Sequence, residues 1–355
     1  MSISYPHKAF AFLFFLASFS VTAQPGVSEP KHRLVIDLVN IEDNKVAITL
    51  YPPAFDTDTA VYNMPTIIPG TYSISDFGRF TEDFHAISRK GDTLNVVRLD
   101  TNRRAVAGAR DLDFIRYKVS GTFDAPMSGG IFEPGGTNIS AGENVLLNMF
   151  GFAGYFDGTK HSPFEVEVLR PADWYGATSL TRLDAQDSTD FFTASDYFEL
   201  HDCPILYAVP DTASMQAANA RVEVAVYSPT GMVSAVEVMA EVEDIFNAAA
   251  VYLGGTLPVD RYSILLYLSG GGSFSRGYGA LEHNTSTVFV LPESPVATLS
   301  QTIKDVTAHE FFHIVTPLNI HSEHIHDYDF VNPQMSKHLW LYEGCTEYAA
   351  QHVQV

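Results

Sequence analysis

The segment His309-Glu310-Phe311-Phe312-His313 holds two imidazoles four residues apart, with a carboxylate beside the first. On a helix, positions i and i+4 stand one turn apart on one face, so both rings can aim a nitrogen at a single ion. Zinc suits such a pair. Glu310 then faces the same cavity and can act as general base on a water activated by the ion, rather than as a ligand. Catalytic zinc takes three protein ligands and keeps one position for water. Glu343, in Trp340-Leu341-Tyr342-Glu343-Gly344-Cys345-Thr346-Glu347-Tyr348, is the natural third ligand, for one zinc ion per chain. Glu347 follows one helical turn later, where it can receive the free N–H of a ligating His and fix its tautomer. With 13 His in 355 residues the alternative is a chance match on an ordinary helix. The second carboxylate element decides against it.

These side chains need elements to position them. Residues 298–316 contain no Gly or Pro and are stopped by Pro317, which predicts the helix carrying the two His. Upstream, residues 34–227 read as successive short strands. Apolar residues alternate at Leu34, Ile36 and Leu38, at Val46, Ile48 and Leu50, and at Phe164, Val166 and Val168, with Glu165 and Glu167 opposite. Glu42-Asp43-Asn44 is a plausible hairpin turn between the first two runs. Further strands are expected over 115–119 and 222–226. After Ser228-Pro229 the spacing of Val233, Val236, Ala240, Ile245, Phe246 and Ala249 turns helical and ends at Gly254-Gly255. Strands follow over 262–268 and 287–291. Between them residues 269–279 are rich in Gly and Ser but lack a Lys-Ser/Thr ending, so they read as a mobile loop rather than a phosphate cradle. The expected architecture is an α+β multidomain protein: an N-terminal all-β sandwich over 24–228, then an α+β domain over 229–355.

Composition bounds the function. The balance of 21 Lys+Arg against 42 Asp+Glu, a formal charge of −21, repels phosphate backbones and anionic headgroups, so nucleic acid is not an expected partner. Lys8 precedes an apolar run from Ala9 with small residues at Ala23, which reads as a cleavable signal peptide over 1–23. The expected location is therefore secreted or periplasmic, with no stable membrane anchor once the signal is removed. Such a compartment permits a Cys203–Cys345 disulfide, but their separation and the place of Cys345 within a motif favour two free, buried thiols. Residues His321, Glu323, His324, His326 and Asp327 have ligand chemistry without fixed spacing and read as a hydrated polar loop.

The HEFFH helix followed by Leu341-Tyr342-Glu343-Gly344-Cys345-Thr346-Glu347-Tyr348 resembles the gluzincin metallopeptidases. Two further motifs narrow the likeness to the glycyl aminopeptidase family. Met64-Pro65 with Pro69-Gly70-Thr71-Tyr72 and Asp76-Phe77-Gly78-Arg79 is similar to that family's signature in its N-terminal β domain, and Gly279-Ala280-Leu281-Glu282-His283 to its active-site strand. The resemblance implies a thermolysin-like zinc peptidase domain after the sandwich and, commonly, a PDZ domain beyond it. It implies an aminopeptidase releasing small N-terminal residues, Gly or Ala, from peptides. Glu282 is then the carboxylate that binds the substrate ammonium, through a charge-assisted hydrogen bond.

The likeness has two departures. After the second His the family continues with Trp-Asn and a basic run, whereas Ile314-Val315-Thr316-Pro317-Leu318-Asn319 stands here. The chain also stops at Val355, soon after Glu343, so the expectation is a catalytic domain incomplete at its C-terminus and lacking the gluzincin oxyanion donor. Tyr278 and His283 are stand-ins that read more readily as wall or packing residues. The rival function is a secreted β-sandwich binding module with an inactive peptidase half.

Overall fold

The computed structural model describes residues 30–124, 130–270 and 278–355. The expected signal peptide and most of the Gly/Ser loop lie outside the described residues. Among the described residues no helix is long and apolar enough to cross a membrane.

The first hairpin shows how local chemistry builds the β domain. His32–Glu42 pairs antiparallel with Lys45–Tyr51, placing Leu34 opposite Leu50 and Ile36 opposite Ile48. Asp43 and Asn44 between them take φ of 50° and 53°, the double left-handed turn that follows the strands' own twist. The strand Phe164–Leu169 joins the same sheet in parallel, burying Phe164, Val166 and Val168 while Glu165 and Glu167 face out to Lys31 and Arg33. Eight strands form this sheet, and two four-stranded sheets pack around it. Their shared core runs from Leu34 through Phe150 and Phe164 to Tyr207.

The second unit is built on a five-stranded sheet of β1 (Thr212–Ala217), β2 (Ala220–Tyr227), β3 (Arg261–Ser269), β4 (Gly279–Glu282) and β5 (Ser286–Pro292), in the order β1-β2-β3-β5-β4. Strand β2 covers Val222–Val226, which the sequence pattern assigned to the sandwich. It pairs instead in parallel with β3, and Val222 and Val224 belong to the second core. Alternation reports burial but not the sheet that supplies the burial. A parallel pair also needs a crossover, and α1 (Ala235–Tyr252) is that crossover. Ser234 and Glu237 close a capping box at its start, and Gly254 and Gly255, with φ of 92° and 102°, end the turn beyond it.

Helices α2 (Val296–Phe312) and α3 (Leu339–His352) cover this sheet. Leu299, Ile303, Ala308 and Phe311 anchor α2 on the core, and Ala349 and Ala350 let α3 approach. A third cluster joins the units: Leu146, Ala177 and Leu206 of a small sandwich sheet pack on Ala225, Leu265, Val288 and Val290. Leu281, Tyr328 and Phe330 also enter the sandwich core. The two halves thus share buried surface, which fixes the sandwich loops relative to the helices.

Candidate metal centre

Helix α2 ends at Phe312, four residues before the expected end, and His313 sits at its C-cap with φ −60°, ψ −22°. The helical angles keep its ring on the face of His309. The two Nε2 atoms stand 3.1 Å apart. Glu343, in the second turn of α3, brings Oε2 to 3.3 Å from His309 Nε2 and 3.7 Å from His313 Nε2. The far nitrogens are occupied: His309 Nδ1 lies 3.0 Å from Glu347 Oε2, and His313 Nδ1 lies 3.1 Å from the carbonyl of Thr316. Each Nδ1 donating outward leaves its Nε2 a lone pair facing inward.

These donors fit zinc. Ligand bonds of about 2.0–2.1 Å in a tetrahedron separate neighbouring ligand atoms by about 3.3–3.4 Å, and the three atoms here lie 3.1, 3.3 and 3.7 Å apart. Without a cation the inward lone pairs repel, and a proton takes its place. Burial pulls the His309 imidazole down, but its hydrogen bond to Glu343, the charge of Glu310 and its hydrogen bond to Glu347 raise it to about 9. Glu343 is held below the usual carboxylate range, chiefly by His309.

Glu310 is buried, and its carboxylate groups with Glu282 and His313, one ligand atom from each lying within 4.8 Å of the others. Burial first, then the charge of Glu282, pushes Glu310 well above its ordinary value. Glu282 ends β4, the edge strand, opposite Thr287. Gly70 passes behind it: a Cβ at that position, where φ is +83°, would stand 2.7 Å from Glu282 Oε1.

One further site residue was not singled out from the sequence. The Tyr72 hydroxyl donates to Glu343 Oε1 at 3.1 Å, occupying the oxygen that faces away from the two imidazoles. Its loop belongs to the β domain. Asn102 ties it down through Thr66 Oγ1 and Asp76 Oδ1, and the amide of Thr66 bonds to the carbonyl of Phe330. Tyr72 itself has φ 50°, an uncommon conformation for an aromatic residue. The Pro-Gly-Thr-Tyr run signals a turn, but nothing local reports what lies across from it.

Other candidates stand apart. His283 is buried with Nδ1 on Asp202 at 3.0 Å, and Tyr278 is exposed. The 321–327 loop contains a short helix, Glu323–His326, and Asp327 pairs with Lys160. Both cysteines are free; Cys203 is buried, but Cys345 is exposed rather than buried, because it lies on the solvent side of α3.

A helix-borne His pair, a carboxylate from a second helix and an α+β frame define the metallopeptidase class. Residues 33–209 match the model of the peptidase M61 N-terminal domain and residues 302–355 that of M61 glycyl aminopeptidase, and the chain belongs to this family. The fold is similar to the crystal structure of an aminopeptidase N family protein from Idiomarina loihiensis, with a TM-score of 0.75 and 21% identity over 91% of this chain and 54% of that one. This chain therefore spans about half the length of that relative. An M1 zinc metallopeptidase from Deinococcus radiodurans, solved with a Tyr-Ser-Ala substrate, aligns at a TM-score of 0.47 and 13% identity over 80% of this chain and 64% of that one. No curated protein matches.

Proposed function

We propose that the protein is an exported zinc-dependent aminopeptidase acting on peptides, with His309, His313 and Glu343 holding one zinc ion. The observation that carries this reading is the convergence of those three donors with Glu310 and Glu282 at one point between the halves. Zinc bound there would polarise a carbonyl and lower the pKa of water. The protein's own groups do the rest. Glu282 pairs with the substrate ammonium and sets the register of the chain. Glu310, buried beside Glu282 and His313, takes a proton from the attacking water and delivers it to the leaving amine. Tyr72 and Glu347 hold Glu343 and His309 in place. The family resemblance points to Gly and Ala as the residues released.

The test is metal analysis on the full-length protein. His313→Ala and Glu343→Ala should each lose stoichiometric zinc, whereas Glu310→Gln should keep zinc and lose hydrolysis. Retention of zinc by both ligand variants sinks the assignment, and near-normal turnover by Glu310→Gln sinks the mechanism.

A further inference from the structure

We infer that Asp202 of the β domain is a positioning residue for Glu282: its carboxylate grips the two residues that follow Glu282 and so fixes where the substrate ammonium is bound. The inference rests on the aminopeptidase reading, and Asp202 acts through Glu282 rather than on the substrate.

Glu282 needs a hold from outside its own sheet. It is the last residue of β4, a four-residue edge strand with a partner, β5, on one side only. One of its carboxylate oxygens lies within 4.8 Å of an oxygen of Glu310, and two carboxylates at that range repel. Glu310 is carried on α2, which Leu299, Ile303 and Phe311 anchor in the core, so the repulsion acts on the strand end rather than on the helix. Within the sheet, Thr287 Oγ1 ties β4 by donating to the carbonyl of Leu281 at 3.0 Å. Beyond Glu282 the chain leaves the sheet and turns through His283, Asn284 and Thr285 into β5.

Asp202 holds that turn from across the domain boundary. Its Oδ1 lies 3.0 Å from His283 Nδ1, and its Oδ2 accepts the amide of Asn284 at 2.8 Å, so both oxygens are engaged on the residues directly after Glu282. Asp202, His283 and Asn284 form one wall of the cavity beside Glu282. The pair is largely dry, with the side chains of His283 and Asp202 3% and 14% exposed, which strengthens a bond to a charged acceptor. His283 Nε2 is buried without a hydrogen-bond partner, so among the described residues Asp202 alone orients the ring. Asp202 is itself anchored. It follows the short helix Tyr197–His201, whose start is capped by Asp196 accepting the amide of Glu199 at 2.9 Å and whose Tyr197 hydroxyl donates to the carbonyl of Ala153 at 2.8 Å. The rings of Tyr197 and His201 also stand edge-on to Phe330, with centroids 5.2 and 4.7 Å away. A rigid carboxylate thus fixes the backbone that carries Glu282, while Gly70 limits its side chain from behind.

The experiment is a double-mutant cycle in the full-length, zinc-loaded protein, with Asp202→Ala and Glu282→Ala made singly and together, kcat and KM measured on L-alanine p-nitroanilide, and zinc content measured for each variant. Asp202→Ala should lose about five- to tenfold in kcat/KM, the effect of loosening a charge-assisted bond without removing it. The loss should lie in KM, because the ammonium is bound alike in the ground and transition states, and zinc should stay stoichiometric. In the Glu282→Ala background the same change should alter kcat/KM by less than about twofold, because its effect runs through the missing carboxylate. Asp202→Asn should stay within about threefold of wild type, since its amide can accept from Asn284 and donate to His283 Nδ1 in the other tautomer. Asp202→Ser, too short to reach both partners, serves if the Ala variant does not fold. Equal losses in both backgrounds, as a mere brace between the domains would give, no loss in wild type, a loss confined to kcat, loss of zinc, or an Asn variant as weak as the Ala variant would each overturn the assignment. The N-acetylated substrate separates the two readings. Wild-type protein that cleaves it as well as the free amine sinks the aminopeptidase reading and this assignment with it, whereas rejection of the acetylated form with no coupling in the cycle sinks the role of Asp202 alone.

Discussion

Replacing Glu282 by Gln keeps the shape of the side chain and removes one negative charge from the group it forms with Glu310 and His313. A hydrogen bond to a charged acceptor contributes about 1.5–3 kcal/mol and one to a neutral acceptor about 0.5–1.5 kcal/mol. The difference, about 1–1.5 kcal/mol, is about a five- to tenfold loss in kcat/KM on free-amine substrates. Glu282→Ala removes the whole bond, so its loss should be about 10- to 150-fold. At pH above the acid limb, hydrolysis of N-acetylated substrates should not change in either variant. The second signature is the pH profile. Burial, then the charge of Glu282, holds Glu310 well above its ordinary value. Neutralising residue 282 lowers it, and a base must be ionised to act, so the acid limb should move to lower pH in Glu282→Gln. The assay is kcat/KM against pH for aminoacyl amides and their N-acetyl forms in the full-length protein. Wild-type protein that cleaves both forms equally well would refute amine recognition and leave an endopeptidase.

Three further outcomes follow from the same geometry. Tyr72→Phe removes the donor on Glu343 Oε1 and should weaken zinc binding about tenfold in chelator competition; unchanged affinity would show that the β domain does not position the ligand. Its carboxylate neighbours raise the metal-free His309 imidazole to about 9, against an ordinary 6.5, so the bound proton stabilises the fold fully below pH 6.5 and that contribution is lost as pH rises through about 9. Metal displaces it, so calorimetry in buffers of different ionisation heat should find about one proton released per zinc near pH 7 and almost none above about pH 10, and no release near pH 7 would contradict the charge state. Gly70→Ala places a methyl carbon 2.7 Å from Glu282 Oε1 at φ +83° and should lower free-amine turnover as Glu282→Ala does while zinc is retained, with normal turnover counting against the packing of that loop behind the carboxylate.

What the sequence determined alone was whatever a local period encodes. Two His four apart on a helix, and Glu343 with Glu347 four apart on another, share faces by the geometry of the helix itself, so each pair was legible before any coordinates, whereas the choice of His309 as the partner of Glu347 belongs to the packing of the two helices. The hairpin of Leu34–Leu50 and Ile36–Ile48 was equally legible, because alternation and an Asp-Asn turn lie within a few residues of each other. The tertiary structure decided the rest. Strand β2 has the alternation of a sandwich strand and belongs to the other sheet, because its partner β3 lies across a helix in sequence. Cys345 is exposed since α3 turns it outward. Tyr72 reaches Glu343 from 271 residues away, and Gly70 backs Glu282 from the other domain. The cavity beside Glu282 has walls from several separate stretches of chain. None of these pairings repeats with any period, so they arise only when two buried surfaces, each already legible, are packed against one another.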